Sequence, residues 1–253
     1  MSKVTAIVLT HNSAELINDC LASLAWVEEI IVVDDASSDA TRRKVENKKR
    51  VKIVEGVGGF SNKRNLGAKE VKGDYLLYID DDERIPPLLR KEIKSVVEKG
   101  KKDVGAYAFP RKNILLGHEM KRGGWSPDYV VRLIRRDALV SWEGELHEQP
   151  KVKGRVIKLG NPLTHISHRS LANMIEKTNE WSQIEAELLF EANHPKMNVF
   201  RFFSAGFREF WYRGIRKLGF LDGPVGVIEV IYQTISRMIT YTKLWEMQLN
   251  KTS

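Results

Sequence analysis

Three short apolar runs, each stopping abruptly at a polar or acidic cluster, constrain this chain more than any other feature. VTAIVL at 4–9 stops at Thr10-His11-Asn12-Ser13, Ile30-Ile31-Val32-Val33 stops at Asp34-Asp35, and YLLYI at 75–79 stops at Asp80-Asp81-Asp82-Glu83. Helical spacing follows the first run at Leu16, Cys20, Leu21 and Leu24, and a further run, VKIVEG at 51–56, precedes the helical stretch SNKRNLGAKEV. Apolar runs without alternation predict strands buried on both faces, and the β-α-β rhythm predicts that they are parallel. Open α/β sheets gather ligands at the carboxyl ends of their strands, which is where these clusters fall.

In an extended chain, residues two apart share a face. Asp80 and Asp82 are therefore expected to share one divalent cation, Mg²⁺ or Mn²⁺, while Asp81 points away. The competing reading is a solvated acidic turn capping the helix that begins near Pro86-Pro87. A cation bridging two phosphates would stabilise a departing nucleoside diphosphate without a proton donor. Asp34 and Asp35 can accept hydrogen bonds from a base or ribose, or cap the next helix. In SNKRNLG, Arg64 can pair bidentately with a diphosphate, Lys63 reads as a solvated helix position, and Ser61 or Asn62 is the expected cap. Gly58-Gly59 matches neither a P-loop nor a dinucleotide fingerprint. No G-x-S-x-G, H-E-x-x-H or cysteine-nucleophile pattern is present.

In order and separation, VLTHN, IIVVDDASSDAT, GGFSNKRNLGAKEVKGDYLLYIDDDE and WEGELHEQP resemble the family 2 glycosyltransferases over residues 1–150. The continuation through RGGWSPDYVVRLIRR, THISHRS and GFLDGPVG looks like the branch that builds lipopolysaccharide core. The resemblance implies a GT-A fold, a Rossmann-like three-layer α/β sandwich with a mostly parallel sheet. It also implies an inverting hexosyltransferase that uses a nucleotide-diphosphate sugar, preferably UDP-linked, and a divalent cation. Thr10, His11 and Asp35 are implied at uracil or ribose, and Arg64 near the base or diphosphate. Asp80 and Asp82 match the D-x-D positions, with Asp80 toward the nucleotide and both toward the metal. His165, ahead of His168, is implied to complete the metal site. Glu148 stands where the family often carries its general base, with Glu145 as the alternative. Trp125 or Trp142 could stack on a sugar ring or pack in the core.

The expected organisation is a catalytic domain at 1–170 and a helical C-terminal region at 171–253, with helices from Leu171 to about Ala192 and from Val225 to Leu249. Between them, NVFRFFSAGFREFWYRGIRKLGFL at 198–221 interleaves aromatic and basic residues, as an amphipathic helix on an anionic bilayer does. Packing on the catalytic domain, with basic residues snorkelling to water, is the alternative. The expected acceptor is a glycan or lipid-linked molecule such as lipopolysaccharide core. The formal net charge of +8 favours an anionic partner without choosing one. The only cysteine, Cys20, excludes a disulfide framework within one chain and agrees with a cytoplasmic enzyme, peripheral on the inner face of the plasma membrane. MSKVTAIVLTHN shows no secretory-signal pattern, and no run of eighteen or more apolar residues occurs. A metal-dependent nucleotidyltransferase or phosphohydrolase could use the same carboxylates. A basic nucleic-acid-binding protein would be repelled by them.

Overall fold

The computed structural model describes residues 3–144 and 148–251. It divides into two compact units: Met1–Lys112 with Asp128–His165, and Asn113–Pro127 with Ile166–Ser253.

In the first unit, β1 (Val4–Thr10), β2 (Glu29–Asp34), β3 (Val51–Glu55) and β4 (Tyr75–Asp80) are parallel and lie in the order β3-β2-β1-β4. The register sets Thr10 opposite Asp34 and Leu9 opposite Asp80, so the three polar strand ends are neighbours. A short β5 (Glu83–Arg84) follows the acidic turn. The sheet continues from β4 through β8 (Tyr129–Arg135) to β6 (Val104–Leu115), each antiparallel to the one before, and β11 (Arg155–Lys158) runs parallel to β6. A separate antiparallel ribbon joins β9 (Leu139–Glu143) to β10 (Gln149–Val152). Strand β12 (Leu163–Ser167) pairs with β5 at His165 and Glu83, while the two-residue β7 (His118–Glu119) pairs with the end of β6 in the second unit.

The apolar runs lack alternation because both sheet faces are covered. Val4, Ala6 and Val8 join one buried cluster with Cys20 and Leu24, beside α1 (Ile17–Ser23), and with Leu89 and Ile93 of α4 (Pro87–Lys99). Ile7 and Leu9 face the other way, into a cluster with Ile31, Val33, Leu76, Tyr78 and Trp142. The short α2 (Thr41–Val45) follows β2, and α3 (Phe60–Lys69) covers the second face. The cap of α3 differs from the expectation at Ser61 or Asn62, because Gly59 holds the N-cap position without a side-chain bond. Nor do the strand-end acids cap α4. Pro86 occupies its N-cap and Pro87 its first turn, a position where the missing N–H is no loss.

Gly67 brings α3 close to the sheet. A Cβ built there would lie 2.5 Å from Cγ2 of Ile7 and 3.1 Å from Cγ2 of Val33. One turn earlier on the same helix stand Lys63 and Arg64, which this close approach delivers to the strand ends. Gly67→Val is expected to lower stability by about 1–3 kcal/mol through overpacking, more than its gain of a few tenths of a kcal/mol in helix propensity. Urea denaturation with an unchanged midpoint would show that α3 has room to retreat.

The second unit contains α5 (Leu171–Glu191), capped by Ser170, and α6 (Val199–Phe210), capped by Asn198. The chain then passes through a π-helical turn at Trp211–Arg216 and a 3₁₀ turn at Gly219–Asp222 into α7 (Gly223–Asn250). Residues 113–127 group with these helices rather than with the strands that flank them in sequence. No helix among the described residues is long and apolar enough to cross a membrane.

Candidate active site

Two loops meet first, those that leave β1 and β2. The backbone N–H of Asp35 donates to the carbonyl of Thr10 at 2.9 Å, and His11 Nδ1 lies 2.5 Å from the carbonyl oxygen of Asp35. Asn12 Oδ1 accepts from the N–H of Ser38 at 2.8 Å, fastening the same pair of loops. Asp34 is buried and accepts from Ser37 Oγ at 2.6 Å, which leaves Asp35 as the outward acid. The Asp35 carboxylate pairs with the ammonium of Lys63. Lys63 is thus buried, contrary to its reading as a solvated helix position, because the close approach of α3 carries it under the loop.

The acidic turn after β4 does not behave as an extended strand. Asp80 ends the strand, and its carboxylate is claimed by Arg64 Nη2 at 3.0 Å and Arg132 Nη2 at 2.5 Å. Burial alone would raise its pKa, but the guanidinium of Arg132, then that of Arg64, holds it well below the usual carboxylate range. Asp81 turns inward to accept from Ser13 Oγ rather than pointing away. Burial, reinforced by the neighbouring Asp82 charge, pushes its pKa up to about 6. Asp82 faces His165, with Oδ2 at 3.6 Å from Nε2. Burial acts to lower the pKa of His165, but the Asp82 carboxylate and, behind it, the Glu83 charge together turn the net direction up. Alternation fails here because Asp81 and Asp82 lie in a turn, where the two-residue period of a strand no longer applies.

Arg64 is the hub. Its Nε and Nη2 donate to Glu148 Oε1 at 3.0 and 2.9 Å, and its guanidinium lies 4.8 Å from the ring centroid of Trp142. Trp142 is buried and meets Tyr78 edge-on at 4.8 Å, so it belongs to the core. Asn65 clamps the Trp142 backbone with two hydrogen bonds, donating to its carbonyl at 3.0 Å and accepting from its N–H at 2.8 Å. Helix α3 is thereby tied to the ribbon that presents Glu148. The alternative base Glu145 lies outside the described residues. His168 belongs to the second unit, where Nδ1 lies 3.3 Å from Glu229 Oε2 and its ring packs against Trp125.

Two residues that the motif reading passes over hold this arrangement. Arg132, buried on β8, also donates to Oε1 of the fully buried Glu83 at 2.6 Å, and Glu83 Oε2 accepts the N–H of Asp80 at 3.1 Å. The available signal was a single arginine within the apolar part of YVVRLIRR, a position that demands a buried partner.

Asp80, expected to share a cation with Asp82, is occupied by two arginines. Among the described residues no group of three or more acidic, histidine or cysteine side chains is arranged to hold a metal. The adjacent carboxylate and imidazole of Asp82 and His165 still fit a cation whose other ligands are phosphate oxygens and water, the usual arrangement for Mg²⁺. A cleft of about 1000 Å³ beside α3, lined by residues including Glu55, Asn62, Lys69 and Ser141, contains neither Asp35 nor any of Asp80, Asp81 and Asp82. Chemistry rather than cavity size marks the site.

Residues 5–144 match the family described as Glycosyl transferase family 2, more than half of the chain. The chain belongs to this family. The glycosyltransferase is 33% identical over 116 residues to the poly(ribitol-phosphate) beta-N-acetylglucosaminyltransferase TarS of Staphylococcus aureus, a match covering 41% of this chain and 20% of TarS. The crystal structure of TarS 1-349 in complex with UDP-GlcNAc superposes with a TM-score of 0.50 at 18% identity, covering 98% of this chain and 92% of that one. Identity to the lipopolysaccharide core biosynthesis glycosyltransferase LpsC of Rhizobium meliloti is 23% over 206 residues, covering 75% of this chain and 72% of LpsC. The mannosyltransferase PcManGT from Pyrobaculum calidifontis, in complex with GDP-Man and Mn2+, superposes with a TM-score of 0.56 at 14% identity, covering 97% and 88% of the two chains. The fold is GT-A, as the resemblance implied, with the helical C-terminal region that the apolar spacing predicted.

Proposed function

We propose that this glycosyltransferase moves a sugar from a UDP-linked donor to a glycan or lipid-linked acceptor, such as lipopolysaccharide core, with inversion at the anomeric carbon. One observation carries the reading. The ends of β1, β2 and β4 bring Thr10, His11 and Asp35 to one edge, and Asp80, Asp82, Arg64 and Glu148 to the next. In this assignment Thr10, His11 and Asp35 receive the base and ribose. Arg64 sits where a guanidinium can serve a diphosphate, and Asp80 orients it. Asp82 and His165 would hold Mg²⁺ or Mn²⁺, which supplies positive charge to the departing diphosphate.

Inversion needs one displacement and one base. Glu148, held by Arg64, is assigned to take the proton of the acceptor hydroxyl. The UDP preference is supported by the sequence resemblance and by the nucleotide bound to TarS, and the acceptor class by the likeness to LpsC. An anionic membrane surface at the cytoplasmic face is the partner proposed for the second unit.

The direct test is a screen of nucleotide sugars for donor hydrolysis with Mg²⁺ or Mn²⁺. Asp82→Ala is expected to lower the rate on the order of 10²–10³-fold, the loss typical when one group that stabilises developing negative charge is removed. Cation-independent hydrolysis, or full activity of the variant, would defeat the metal assignment. Release of pyrophosphate instead of a nucleoside diphosphate would mean a nucleotidyltransferase.

A further inference from the structure

Helix α6 and the first residue of the π-helical turn that continues it carry an uncovered aromatic stripe. Phe200, Phe203, Phe207 and Trp211 are 80, 62, 64 and 52% exposed, at spacings of three, four and four residues that keep them on one side. Ile228, Ile231 and Ile235 of α7 are also exposed, at spacings of three and four. The two helices run antiparallel within this unit. The rings of Phe202 and Trp245 are 6.2 Å apart, Gly206 faces Met238, and Gly214 faces Val230, so positions rise along one helix as they fall along the other.

Gly206 and Met238 mark the facing sides. Counted from them at about 100° per residue, both stripes rotate in the same sense from their contact line. In an antiparallel pair, equal rotation sense places both stripes on the same side, so they form one two-helix apolar face. Such a face is larger than the scattered apolar residues of an ordinary surface.

Charge selects what covers it. The sequence from 198 to 221 carries five basic residues and a single acid, Glu209. Arg213 is already committed, pairing with Glu209 at 2.5 Å and donating to the carbonyl of Gly123 at 3.0 Å. Arg201, Arg208, Arg216 and Lys217 remain exposed. Two copies of this chain meeting through the face would bring like-charged rims together, whereas anionic headgroups complement them. The stripe residues are those that seat in the boundary between headgroups and acyl chains.

We propose that the α6–α7 face is an interfacial membrane-docking surface, with Phe203, Phe207 and Trp211 and the isoleucine stripe entering the headgroup boundary of an anionic bilayer. The inference deepens the proposed action on a lipid-linked acceptor by assigning the contact residues. Co-sedimentation with vesicles of equal parts phosphatidylcholine and phosphatidylglycerol tests it. The parent protein is expected to bind these and not phosphatidylcholine alone. The triple variant Phe203→Ala/Phe207→Ala/Trp211→Ala should bind at least about tenfold more weakly, and Ile228→Ala/Ile231→Ala/Ile235→Ala should also weaken binding. Arg208→Glu/Arg216→Glu/Lys217→Glu, which spares Arg213, should abolish the preference for phosphatidylglycerol.

Circular dichroism checks that each variant folds, and donor hydrolysis without lipid should be unchanged in all of them. Absent vesicle binding by the parent, or undiminished binding by both apolar variants, would overturn the proposal. So would a dimer that the apolar variants dissociate while vesicles bind none of the proteins, since a second copy would then cover the face. If the parent binds vesicles but hydrolyses no nucleotide sugar, the donor reading fails and the docking surface stands.

Discussion

Arg132→Met is expected to lower the stability of the enzyme by about 3–5 kcal/mol, the range found when one partner of a buried ion pair is removed. Glu83 has no exposed surface and Arg132 almost none, so water cannot replace the lost guanidinium. Burial already raises the pKa of Glu83 against the pull of Arg132. Without that pull, the carboxyl would be driven further toward its neutral form. Asp80 would keep Arg64 but lose its shorter partner. Guanidinium denaturation of parent and variant gives the number, and a loss below about 1 kcal/mol would mean that the pair is weak. Adding Glu83→Leu should recover part of the loss, because an apolar pair of similar volume avoids the stranded charge.

Glu148→Gln should leave the fold intact and reduce transfer by about 10²–10⁴-fold, the usual contribution of a general base. Glutamine keeps an amide oxygen that can accept from Arg64, so the guanidinium stays anchored. It has no basic lone pair to receive the acceptor proton. Nucleotide affinity measured by calorimetry should change little while kcat collapses. A variant that retains kcat within about threefold would remove Glu148 from the chemistry and leave Glu145 as the acid to examine.

Much of the fold was legible. The four parallel strands and the long C-terminal helices follow from apolar run length and helical spacing, which are local signals. The strand-end acids were legible as a group for the same reason. Their individual partners were not. The expectation that Asp80 and Asp82 face one way and Asp81 the other rested on strand alternation, and the chain leaves the strand at Asp80. The reading of Lys63 as solvated rested on its helix alone, and the depth of α3 depends on Gly67 meeting Ile7 from a distant strand.

By itself, the sequence determined the layered α/β architecture, the family and the edge of the sheet on which chemistry-bearing residues gather. Hydrophobic periodicity and strand termination are written along the chain. Tertiary structure alone decided that Arg132 and Arg64 neutralise Asp80, that Asp81 turns to Ser13, that Asp82 meets His165, and that Arg64 joins the acidic turn to Glu148. Each of these pairings joins residues on different elements, the nearest of them 16 positions apart in sequence. A buried charge takes whichever opposite charge the packing brings within reach, and no local pattern encodes that choice.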